Sequence, residues 1–421
     1  MPTAPSPNPV PEQAWRWPAY RARLNLDGAG GPESSPNRPL LAGLASTAYI
    51  EWRYYAVLSD AFHGIVGLAL VNPDHHFMSI AEVGLLVIVA GVLDRPRPAS
   101  APLVSSNLAA PAEPCWMHLF RTADCRFDSP GPSGLQAGDA RCRVELRQLS
   151  PSEAEVQIAT GLGLDLSLSH RGLPGSAIPA EPDARLDGLL GRLIGSQWQV
   201  QCPSPVALCD GRLTLTPRFV NDLPTMPGVS DSFASPALRQ RVVHDDADFR
   251  WHGASGYYEH SFGVRPLPLH GWDFLFVPDA VAGQSLVMQT YRGSKRLSYV
   301  DCCWSDAGQW RRRRFAVDAS TLRWADTCYD PVLGATRPTR RVIEAEADGL
   351  RLKVDNRVLC RIPLMRPWRA AVRHFFISEE IGIADWQLTD GYDRVLVQAR
   401  ARPCGGELAH RRLRAPWPAN A

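Results

Sequence analysis

Residues 256–263 read G-Y-Y-E-H-S-F-G, and G-W-D-F follows at 271–274. Two tyrosines, a carboxylate, an imidazole and a serine lie between two glycines, a pattern that reads as a strand. Residues two apart on a strand share a face. Tyr257, Glu259 and Ser261 therefore go to one side, and Tyr258 and His260 to the other. One face then carries a carboxyl group beside an aromatic wall. That combination suits acid–base work on an apolar substrate, because burial against rings raises a carboxyl pKa towards neutrality. The competing reading pairs Glu259 with one of the many arginines and leaves the tyrosines as ordinary barrel residues.

The rest of the chain is written in the same style. Short alternating runs rich in Val, Leu, Trp and Tyr are separated by Gly, Pro and Asp. In the first half they are 48–58, 64–71, 143–149, 155–159, 197–201 and 212–216. In the second half they are 271–277, 285–291, 297–304, 340–345, 350–354 and 394–400. Helical periodicity is confined to 187–194 and 236–243, and breaks at 96–114 and 128–138 read as long loops. The pattern predicts an all-β protein with few short helices, built as antiparallel barrels or sandwiches. A chain of 421 residues fits two such domains. The expected division is a Pro/Gly-rich leader at 1–41, a first barrel at 42–235, a second barrel at 236–405 and an Arg-rich flexible tail at 406–421.

Composition removes several classes of function. Net charge is only +2, which argues against nucleic acid as the partner. The arginine run 311–314 reads as a solvated strand edge or turn. Ten cysteines occur without C-x-x-C spacing, so neither a disulfide framework nor a metal site is expected, and free thiols fit a cytoplasmic setting. The longest apolar run, 83–93, is too short to span a bilayer and fits buried strands or a turn of core helix. No G-x-S-x-G elbow or phosphate-binding loop is present. Thirteen tryptophans offer flat apolar surface for a hydrophobic pocket, though tryptophans also fill small cores.

Several pieces together resemble a known family. I-E-W-R-Y-Y-A-V-L-S at 50–59 is similar to the T-E-W-W-Y-F opening strand of the carotenoid 1,2-hydratase (hydroxyneurosporene synthase) family. That family is part of a lipocalin-related group with tocopherol cyclases and fungal Diels–Alderases. Residues 256–263 resemble its G-Y-x-D-H-N-x-G motif, residues 271–274 its G-W-x-W strand, and residues 198–214 the strand pair before them. The pieces keep the family's order across most of residues 48–305. Glu259 replaces the family's aspartate and Ser261 its asparagine, while Arg53 and Phe274 each replace a tryptophan.

The resemblance implies two tandem lipocalin-like barrels with an apolar cavity near their junction and no cofactor or metal. It points to a cofactor-independent hydratase or cyclase of natural product biosynthesis. The substrate would be an unsaturated isoprenoid, carotenoid or polyketide, reached in the cytoplasm or at a membrane surface. Glu259, His260 and Tyr257 are the expected catalytic residues. Tyr258, Trp272, Asp273, Trp52, Tyr54, Glu51, His63 and Trp304 are the expected substrate contacts. Two alternatives remain open: a Diels–Alderase-like pericyclase that works by folding its substrate, and a non-catalytic lipid or pigment carrier.

Overall fold

The computed structural model describes residues 49–71, 85–93, 114–121, 124–127, 134–178, 184–185, 197–223, 233–264, 272–291, 294–317, 321–330, 335–365 and 375–411. The leader 1–41 and the helix expected at 187–194 lie outside them. The described residues are almost entirely β, arranged as two antiparallel sheets. One forms a near-closed barrel and the other a half-barrel. The two short helices are α1 (Pro217–Asp222) and α2 (Pro236–Arg241). Each starts on a proline, which has no N–H to lose there, after a hydroxyl cap, Thr216 or Ser235.

The first sheet has 13 strands. Its centre is β1 (Tyr49–Leu58), flanked by β2 (Phe62–Val71) and β13 (Ala247–Val264). Next to β2 come β3 (Leu85–Leu93) and β4 (Pro114–Phe120), and next to β13 come β11 (Gln197–Leu215) and β9 (Leu164–Gly172). Strands β8 (Glu153–Thr160), β7 (Cys142–Ser150), β6 (Gly134–Gly138) and β5 (Cys125–Phe127) complete that side. Short strands β12 (Phe233–Ala234) and β10 (Ala184–Arg185) pair with β4 and β11. The second sheet has nine strands in the order β17-β16-β15-β14-β22-β21-β20-β19-β18. They are β14 (Trp272–Asp279), β15 (Gln284–Tyr291), β16 (Ser294–Asp306), β17 (Gln309–Ala316), β18 (Leu322–Asp330), β19 (Ala335–Ala347), β20 (Leu350–Met365), β21 (Phe375–Asp390) and β22 (Val395–Arg411).

Three expectations change. The sheets divide between Val264 and Trp272 and not at 235/236, because β13 is hydrogen-bonded into the first sheet on both sides, to β1 and β11. Residues 406–411, expected in the tail, are the end of β22. They pair with β14 and β21, and Gly405 is needed there: a Cβ on it would stand 2.3 Å from the Phe276 ring. Residues 134–138, expected in a loop, form β6. The run 311–314 is in β17, the edge strand of the second sheet.

Alternation sorts the core into three layers. Tyr55, Val57, Val66, Val87, Leu146, Val156 and Leu166 fill the first barrel. Leu275, Val277, Val300, Ile343 and Trp386 fill the second. Between them, the outward face of β1–β4, β11 and β13 packs on one face of the second sheet. Tyr54, Ala56, Ile65, Ile88 and Tyr257 meet Phe274, Phe276, Val287, Ile362 and Ile381. Strands β1, β2 and β3 and the 256–261 segment of β13 are therefore largely buried on both faces. The near-continuous apolar runs of β2 and β3 are what such burial requires.

His170 is wholly buried in the first barrel, edge-on to Tyr55 and Tyr258, with neither ring nitrogen hydrogen-bonded. Desolvation pulls its pKa from 6.5 down to about 4. Between those pH values the unfolded chain binds a proton that the folded one does not, so stability rises with pH across the window. Stability measured by urea unfolding is expected to fall by roughly 3 kcal/mol as pH drops from 6.5 to 4. His170→Leu should flatten that slope, and an unchanged slope in the variant would refute the assignment.

Candidate functional site

The alternation expected for 256–263 is observed. Tyr257, Glu259 and Ser261 face the junction between the sheets, and Tyr258 and His260 face into the first barrel. The Tyr257 hydroxyl donates to Glu259 Oε2 at 2.9 Å, and Ser261 Oγ donates to Oε1. Glu259 is half-buried. Both of these hydroxyl donors come from its own strand.

β1 supplies the next residue. Tyr54 stands directly opposite Glu259 in the antiparallel pairing, and its hydroxyl crosses the junction to donate to Glu379 Oε1 on β21. Glu379 is opposite Glu407 on β22, and Glu407 accepts from the Trp272 indole N–H. Two glutamates opposed across a strand pair repel each other when both are ionised. Burial first, and then the charge of Glu407, push the Glu379 pKa well above the ordinary carboxyl range. Burial and the charge of Glu379 likewise raise the Tyr54 phenol, with Glu407 and Glu259 adding to it. Tyr54 thus sits among three carboxyl groups from two sheets.

Aromatic rings wall this cluster. Tyr257 stacks on Phe276 at 4.7 Å and 11°. Tyr54 meets Tyr257, Phe274 and Phe276 edge-on at 6.3, 6.4 and 5.8 Å, and Trp52 lies 6.4 Å from Tyr54. Ring faces tolerate positive charge, and the carboxyl groups can donate or receive a proton. The arrangement is suited to forming and flanking a cation.

The structure brings together Glu259, Tyr257, Tyr54, Trp52 and Trp272 of the expected site. It separates the others. His260 turns away from Glu259 and meets Glu51 at 2.7 Å, both fully buried inside the first barrel. Arg53 lies 3.9 Å from Glu51 and donates to Gln148 at 2.7 Å. Tyr258 stacks on Tyr55 in the same interior. Asp273 lies inside the second barrel, bonded to Arg341 at 2.9 Å. Arg341 also holds Glu380, which a second arginine, Arg361, contacts at 2.6 Å. Burial opposes charge on both carboxyls. It wins at Asp273, which is pushed up, and loses at Glu380, which its two guanidiniums hold down. A small cavity beside this network, lined by Arg341, Asn356 and Gly405, is separate from the strand carrying Glu259. His63 spans the junction at the far end of β1, with Nε2 3.0 Å from the Cys404 carbonyl. Trp304 packs on the second core.

Glu379 and Glu407 were missed from the sequence. The signal was I-S-E-E-I at 377–381, two adjacent glutamates inside an apolar strand, which alternation must send to opposite faces.

No protein-family model matches the sequence, and no curated protein is similar enough to match. Solved structures are similar. CghA with Sch210972 is 12% identical with a TM-score of 0.52, over 86% of this chain and 89% of its own. The chain shares the fold of CghA. A second structure of CghA gives 13% identity and a TM-score of 0.50, over 87% and 90% of the two chains. Kievitone hydratase from Nectria haematococca gives 9% identity and a TM-score of 0.45, over 86% and 88%. The two CghA comparisons support the lipocalin-like, two-barrel architecture over most of the chain. Among the described residues, no helix is long and apolar enough to cross a membrane.

Removing one partner of a buried hydrogen bond leaves the other polar group unsatisfied. His260→Ala is expected to lower unfolding free energy by about 1–3 kcal/mol. The double change with Glu51→Ala should cost clearly less than the sum of the singles. Additive losses in denaturant titrations would show that the two side chains are not coupled.

Proposed function

We propose that the protein is a cofactor-independent enzyme that hydrates or cyclises an apolar, unsaturated natural product at the junction of its two barrels. The observation that carries the reading is the placement of Glu259. It lies on a junction strand, fixed by Tyr257 and Ser261, beside the aromatic wall of Tyr54, Tyr257, Phe274 and Phe276. The motif resemblance at 50–59, 256–263 and 271–274 supports the same class. Protonating an alkene makes a tertiary cation that aromatic faces stabilise. Addition of water then gives an alcohol, and attack by a second alkene of the same substrate closes a ring. A carrier needs the apolar walls alone. It gains nothing from carboxyl groups buried among them, which cost free energy to desolvate.

A pericyclase that works mainly by folding its substrate is the second reading. The aromatic walls favour it, since they would hold a polyene in a near-attack shape. The two separate on Glu259. Organic extracts of the purified protein are expected to contain an unsaturated apolar compound, identified by mass spectrometry. Glu259→Gln should retain that compound but convert it about 10²–10⁴-fold more slowly, because glutamine keeps the shape and can neither give nor take a proton at that position. Circular dichroism serves as the folding control. Full turnover in Glu259→Gln would leave substrate folding or carriage.

A further inference from the structure

We propose that Glu379 is the proton donor of this site and that Glu259, on the opposite wall, is its base. The assignment rests on the reading of the junction as the active site. Hydration needs both roles, because one group must give a proton to carbon while another takes one from water. Two carboxyl groups in unlike surroundings are the usual solution.

The surroundings differ here in the required sense. Glu379 is 1% exposed. Its Oε1 is bonded by Tyr54, and its Oε2 is buried without a hydrogen-bond partner. β22 faces it with Glu407, β20 with the apolar Ile362, and β1 with Tyr54. Its chain neighbour Glu380 points to the other side of the sheet, into the arginine network. Among the described residues no guanidinium pairs with Glu379. A carboxyl group so placed is favoured in its neutral form, with a proton on an oxygen that no protein group uses. Glu259 is the reverse. It is half-exposed to solvent and receives hydroxyl donors on both oxygens, which suits a carboxylate that accepts.

The step balances. Glu379 gives its proton to one alkene carbon, and the π pair becomes the new C–H bond. The neighbouring carbon is left cationic between the rings. Water forms a C–O bond to that carbon, and its surplus proton passes to Glu259. Glu379 has lost one proton and Glu259 has gained one, and exchange with solvent restores both.

Infrared difference spectra of the full chain at pH 7 test the assignment without a substrate. The carbonyl stretch of a protonated buried carboxyl group is expected in the wild type and in Glu259→Gln, and its loss is expected in Glu379→Gln. A wild-type minus Glu379→Gln difference without such a band, or a wild-type minus Glu259→Gln difference that contains one, overturns the assignment. Glu407→Gln provides a second measurement that leaves Glu379 in place. Removing the like charge should lower the pH at which the band titrates by about one unit, and an unchanged midpoint also overturns it. Turnover of the co-purified compound should fall at least 100-fold in Glu379→Gln. Recovery of no unsaturated compound from any of the proteins would reject the proposed function and leave the infrared result standing on its own.

Discussion

Burial of β1 and of residues 256–261 of β13 on both faces is the constraint from which the rest of the molecule follows. In an ordinary barrel the outward residues meet water. Here the outward residues of these strands meet a second sheet, so each pair of neighbours must satisfy two interiors at once. Inward, Glu51, Arg53 and His260 form a buried ionic cluster that locks the two strands together. Outward, the alternate residues Tyr54 and Glu259 stand side by side and begin the site. A one-residue slip of either strand would exchange the two sets and place the ionic cluster among the junction aromatics. The cluster inside the first barrel therefore holds the register on which the site outside it depends.

That dual burial also decides what the sequence discloses. The faces of residues 256–263 were legible because alternation is a local rule. So were most strands, since their apolar runs are bounded by turn residues. The partners of Glu259 across the junction were not legible. Glu379 and Glu407 lie more than a hundred residues downstream, and only the stacking of the two sheets places them near Tyr54. The same limit explains Glu51, Asp273 and Trp304. Each is on a strand with aromatic neighbours, and local sequence does not say which of two packed faces is the junction. The boundary at 235/236 was misplaced for a related reason. α2 ends the irregular connection, but β13 after it returns to the first sheet before the chain crosses over.

Several arginines of the second sheet are paired with carboxyl groups other than Glu379. The chain has 45 lysines and arginines, so a guanidinium next to a buried glutamate would be the common outcome. Arg337 donates to Ser378, on the face of β21 opposite Glu379. Arg341 and Arg361 are held by Asp273 and Glu380 on the opposite face of the same strands. Arg312 and Arg314 share Asp301, which each approaches with two nitrogens. Asp301 is on β16, three strands from β22 in the sheet order.

Adjacent Glu379 and Glu380 make the principle plain. They have the same chemistry and consecutive positions, and they differ only in which way the strand turns them. Glu380 meets two guanidiniums and is held ionised. Glu379 meets a phenol, a second glutamate and apolar side chains, and the neutral acid is favoured. The difference is not encoded in either residue. It comes from β21 separating an arginine-rich interior from an aromatic junction, so that one pleat of the backbone sets two opposite protonation states a few ångströms apart. The candidate site therefore depends on a sheet whose two faces have unlike electrostatics, with a second sheet packed over the junction face.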